Sequence, residues 1–111
     1  MKQRVLKADW QPVLDAACEV ANAVMMDDPV LSASKRERLM DLLSGLERKY
    51  GERAMITATR GDFLEEPLEA KKCLERALDL ARAEEDSEEE LEILDSLNYL
   101  DLQATDHVSE G

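Results

Sequence analysis

Histidine is nearly absent from this sequence, and several chemistries are excluded with it. The one copy, His107, falls outside every apolar period, so a Cys–His nucleophile pair or a multi-histidine zinc site lacks its residues. The four glycines are scattered singly, and no GxxxxGK[ST] or GxGxxG loop is present to cradle a phosphate. No serine stands on a nucleophile elbow. The two cysteines, Cys18 and Cys73, form no CxxC pair, and both fall in helical apolar patterns, which predicts buried, reduced thiols. The reading is of a chain that is not an enzyme and has no catalytic residue, no cofactor and no metal site.

Aromatic residues are also scarce, at 4%. A core must then be built from Leu, Ala, Val and Met. No run approaches the roughly 18 apolar residues of a membrane span, and the opening MKQRVLKADW lacks the apolar segment of a secretory signal, so a soluble cytoplasmic chain is expected. Positive charge is in deficit, with 14 basic against 26 acidic residues and a formal net charge of -12. Such a surface repels nucleic acid and anionic membranes and favours a basic protein partner.

What the sequence has in quantity is acidic and basic residues interleaved with aliphatic ones at helical spacing. Three prolines and four glycines in 111 residues suit helices joined by short turns. The spacing predicts an all-α fold of about five helices in one domain over 1–103, followed by a disordered acidic tail at 104–111.

The first helix is expected over about 9–26, with Asp9 as N-cap, Pro12 in its first turn, and a core stripe of Trp10, Val13, Leu14, Ala17, Val20, Ala21, Val24 and Met25. Pro29 marks a break, and the second helix is expected to start between Ser32 and Lys35. Leu39, Leu42, Leu43, Leu46 and Tyr50 form its stripe, and Gly51 supplies a positive-φ end. Gly45, inside this helix, is read either as a close helix approach or as tolerated drift.

A third helix follows from about Glu52 to Arg60 or a few residues beyond, with a short strand as the formal alternative because Thr57 and Thr59 are β-branched. A fourth begins at Pro67 and ends near Glu84, with Leu68, Ala70, Cys73, Leu74, Ala77, Leu78 and Ala81 on its apolar face. Ser87 and Glu90 have capping-box spacing at the start of the fifth, whose core side is read as Leu91, Leu94, Leu97, Tyr99, Leu100 and Leu102, with Glu88, Glu89, Glu90, Glu92 and Asp95 in water.

The carboxylate pairs Asp27–Asp28 and Glu65–Glu66 fall at turns, where solvation leaves them without the divergent acidities that acid–base catalysis needs. The stretch from Gly61 to Glu69 lacks the alternating oxygen ligands of a calcium loop. Lys72 and Arg76, four apart and flanked by Glu69 and Glu75, read as a solvated i, i+4 face.

Ala58, Ala70 and Ala77 lie twelve and then seven positions apart, and the run LEAKKCLERALDL follows the intervening turn. Over about residues 51–83 this resembles a tetratricopeptide repeat. The resemblance implies a close hairpin packed through Ala58, Ala70, Leu74, Ala77 and Leu78, and a protein-binding role. Gly61 stands where the family usually carries an aromatic residue, and Arg82 where proline often ends the repeat. No second copy is evident: Ala33, twelve after Ala21, falls just past Pro29, and the next register position is Met40.

The functional expectation is a non-catalytic protein–protein interaction module. Its most specific form is a bacterial immunity protein covering the basic surface of a toxin. The alternatives are a repeat-like secretion chaperone or adaptor holding a partner segment, and a homodimeric structural subunit. The sequence does not identify the partner-binding residues.

Overall fold

The computed structural model describes the backbone of residues 5–109 and the side chains of residues 5–102. It is all-α, with five helices: α1 (Lys7–Met25), α2 (Pro29–Tyr50), α3 (Ala54–Asp62), α4 (Pro67–Ala83) and α5 (Ser87–Ser109). No strand occurs among the described residues. The packing within the segment expected as one domain gathers into two compact units, Met1–Gly51 and Glu52–Gly111. The 104–111 segment, including His107, has its backbone within α5 as far as Ser109, and its side chains lie outside those described.

In the first unit α1 and α2 form an antiparallel hairpin whose core is Val13, Ala16, Val20 and Ala23 against Leu39, Leu43 and Leu46. The α1 sequence offers two adjacent apolar stripes, and only one faces α2. Val24 and Met25, expected in the core, are therefore 55% and 83% exposed, and Leu14 and Cys18 are exposed with them. Asp9 is not an N-cap. It lies in the first turn, and its carboxylate is drawn across the hairpin to accept hydrogen bonds from Lys49 Nζ at 2.8 Å and from the Tyr50 hydroxyl. Pro12 is the sixth helical residue rather than a first-turn one.

The α1–α2 connection uses three residues. Asp27, at φ 57°, takes the left-handed conformation, and its N–H bonds the Val24 carbonyl at 3.0 Å while that of Asp28 reaches Ala23 at 3.2 Å. These two bonds satisfy carbonyls at the end of α1 in a Schellman arrangement. Asp28 then caps α2, accepting from the Leu31 N–H at 3.0 Å, with Pro29 at the first helical position. Proline therefore opens α2 where a later, serine-capped start is expected, and Ser32 is buried, donating to the Pro29 carbonyl at 3.1 Å.

The α4–α5 connection repeats this device. Glu85 has φ 57°, its N–H and that of Asp86 reach Arg82 and Ala81, and Asp86 caps α5 by accepting from the Glu89 N–H at 3.2 Å. Ser87 is thus the first helical residue, not the cap, and Glu90 is engaged by Arg82 at 3.3 Å.

The second unit stacks α3, α4 and α5 around Ala54, Ala58, Leu74, Ala77, Leu80, Ala81 and Ile93, with Leu78, Leu97 and Leu100 packed at the edge. Ala70 is buried as well. The α5 face is rotated from its expected position: Ile93 is buried, while Leu91, Tyr99 and Leu102 are exposed. Leu68 is likewise exposed and Leu80 buried on α4. The Cys73 thiol is partly buried and donates to the Thr57 carbonyl at 3.2 Å. Arg53, the N-cap of α3, offers no side-chain cap, and Glu84 supplies one from the end of α4, its Oε2 accepting from the Ala54 N–H at 2.9 Å. Arg76 leaves the expected helix-surface pattern and forks onto Glu52, with both nitrogens at 3.0 Å.

Candidate functional site: an acidic cleft in the second unit

The α3–α4 turn and the middle of α5 enclose a cavity of about 430 Å³. Its floor exists because α3 comes very close to α4. A Cβ on Gly61 would lie 2.9 Å from Leu74 Cγ and 3.4 Å from the Ala70 carbonyl oxygen, so the absent side chain sets the approach. Gly61, Ala70 and Leu74, all buried, form the bottom, and Leu64 and Leu100 flank them.

The turn is fixed by Glu66, whose carboxylate accepts from the Glu69 N–H at 2.9 Å and so starts α4, with Pro67 at its first position. Pro67 lines the cavity, as do Asp62 and Glu65 beside the turn. From α5, Asp95, Ser96 and Tyr99 form the opposite wall, one helical turn spanning Asp95 to Tyr99. Every ionisable lining residue other than Tyr99 is acidic.

The electrostatics continue along the base of α5. Residues 89, 93, 97 and 100 follow a helical stripe, and Ile93 faces the core, so Glu89 is carried inward with it and is only half-exposed. Lost hydration raises its pKa to about 7, and repulsion from Glu92, Asp86, Asp62 and Glu84 adds to the effect. Asp62 is shifted upward too. Partial shielding of its carboxyl group is the main cause, with Glu92 adding repulsion, and a hydrogen bond from Ser96 opposes both. Glu89 thus departs from the water-exposed position expected from the sequence.

The hairpin residues named from the repeat spacing are divided by the cleft. Ala70 and Leu74 form its floor, Ala58 and Ala77 lie in the core with Leu74, and Leu78 packs at the edge of that core. Asp62, Glu65, Asp95, Ser96 and Tyr99 were not singled out as a site by sequence. The available signal was the spacing of Asp95, Ser96 and Tyr99, which places them on one side of α5. Among the described residues, no three His, Cys, Asp or Glu side chains are grouped so as to hold a metal ion. None of the helices, over their described residues, is long and apolar enough to cross a membrane. No known protein family, curated protein or solved structure matches the chain.

Proposed function

We propose that this chain is a non-catalytic protein-interaction module that recognises a basic partner, acting in its most specific form as a cytoplasmic, bacterial toxin-neutralising immunity protein. The observation that carries the reading is the formal net charge of -12. An excess of this size accelerates encounter with a positively charged surface and discriminates against acidic ones. The charged residues that line the cleft, Asp62, Glu65 and Asp95, are all acidic, which is consistent with the same preference. Nucleic acid and anionic membranes are disfavoured by the same charge, and the module needs no cofactor.

The test is a native pull-down with the full chain, read by mass spectrometry and repeated across a salt series. A stoichiometric basic protein whose association rate falls steeply above about 0.15 M salt, where the screening length is near 8 Å, is the expected result. Recovery of no stoichiometric protein, or of an acidic one insensitive to salt, would overturn the reading.

A second reading rests on a different observation. Leu91, Tyr99 and Leu102 are all more than 60% exposed along α5. An apolar surface of this kind suits an adaptor or chaperone that holds a partner segment, or a homodimer. Sedimentation at micromolar concentration separates the dimer from the monomer.

A further inference from the structure

We infer that the cleft between the α3–α4 turn and α5 is the receptor for a single arginine side chain projecting from the basic partner. The inference rests on the proposal of a basic partner and assigns that recognition to one place.

Size comes first: about 430 Å³ lies within the roughly 300–1,000 Å³ range of ligand-binding pockets. The polarity is divided as an arginine side chain is divided. Half-buried Leu64 and Leu100, above a floor of buried Ala70 and Leu74, offer apolar surface to an aliphatic stem, and the acidic residues Asp62, Glu65 and Asp95 line the same cleft. The carboxylates come from two sides, Asp62 and Glu65 from the turn and Asp95 from α5. A planar guanidinium, with five donors, can address acceptors on separate walls where an ammonium acts as a point charge. Exposed Tyr99 also lines the cleft, and a guanidinium is attracted to the face of a tyrosine ring. The nearest basic side chain along α4, Lys71, is directed to Asp101 at 3.8 Å and does not line the cavity.

The experiment is a titration of the full chain, isotopically labelled, with the peptide acetyl-Gly-Leu-Arg-Leu-Gly-amide and with its citrulline counterpart, followed by amide chemical shifts. Citrulline keeps the shape and removes the charge. The expected result is shifts concentrated in residues 61–70 and 95–100, with at least fivefold weaker binding for citrulline. Asp95→Asn and Tyr99→Ala, both at exposed positions, should each weaken the arginine peptide by at least threefold. Equal binding of the two peptides, or unchanged affinity in both variants, overturns the assignment. Shifts on another acidic face overturn the cleft while leaving the basic-partner reading intact; an acidic protein as the only stoichiometric pull-down product overturns that reading separately.

Discussion

Leu74 Cγ stands 2.9 Å from the point where a Cβ on Gly61 would be, whereas a Cβ on Gly45 would meet nothing within 4 Å. The two helical glycines therefore make opposite predictions. Gly61→Ala gains helix propensity of up to about 1 kcal/mol but forces Leu74, buried in the core, to move, and overpacking costs about 1 to 3 kcal/mol. Net destabilisation of the second unit is expected in urea unfolding. Gly45→Ala should stabilise by about 0.5 to 1 kcal/mol, because close helix approach is not what glycine provides there. An increase in stability for Gly61→Ala would show that Leu74 yields freely.

Two of the interhelical turns place non-glycine residues at φ 57°, Asp27 after α1 and Glu85 after α4. A left-handed residue with a side chain costs roughly 1 to 2 kcal/mol relative to its usual conformation, and the cost is smaller for Asp, whose short side chain tolerates the region. Glu85→Gly should therefore stabilise the second unit, and by more than Asp27→Gly stabilises the first. Equal and negligible changes in denaturation midpoint would argue against this conformation at Glu85.

Asp9, Lys49 and Tyr50 close the open end of the first hairpin. The hydrogen bond from Lys49 holds the Asp9 carboxyl below the usual carboxylate range, and the hydrogen bond from Tyr50 acts the same way. A depressed pKa means that ionised Asp9 favours the folded state. Its contribution is present above the unfolded value near 3.8 and is lost as pH falls through the lower folded value. Asp9→Asn should lower the thermal midpoint of the first unit at pH 7 and flatten its acid limb. The fluorescence of Trp10, the one tryptophan, reports on α1 directly. An unchanged midpoint and acid limb would remove the network from the stability of the hairpin.

These elements also mark what could be read from sequence. The helices were legible because three- and four-residue apolar spacing dominates a chain with few breakers, and Pro67 opens α4 as expected. Their rotation was harder to read. On α1 and α5 apolar residues cover more than one stripe, and only the partner helix decides which stripe is buried; Ile93 and Ala16 were missed for that reason, and Leu91 and Tyr99 misassigned. The cap of α5 shifted by one residue, from Ser87 to Asp86, because the left-handed conformation of Glu85 fixes the register of the turn. The cleft was illegible for a related reason. Its floor depends on how closely Gly61 approaches Leu74, a tertiary distance with no counterpart in local spacing.

Glu89 reverses the acid dependence seen at Asp9. Its position on the Ile93 side of α5 strips water from the carboxylate and sets it among Glu92, Asp86, Asp62 and Glu84, and its pKa rises from 4.5 to about 7. A raised pKa means that the folded state prefers protonated Glu89. The associated stability is complete below the unfolded value of 4.5 and is lost as pH climbs through about 7. Because the side chain is half-exposed, solvent screening reduces the effect to on the order of 1 to 2 kcal/mol. Glu89→Gln keeps the neutral shape at every pH. Urea midpoints of the second unit, followed by amide signals of α4 between pH 4 and pH 8, should therefore fall for the natural chain relative to the variant and run parallel above about pH 8. The upward shift of Asp62 has the same sign and leaves a shallower decline in the variant. Curves that stay parallel from pH 4 to pH 8 would place Glu89 in ordinary solvent and remove it from the packed face of α5.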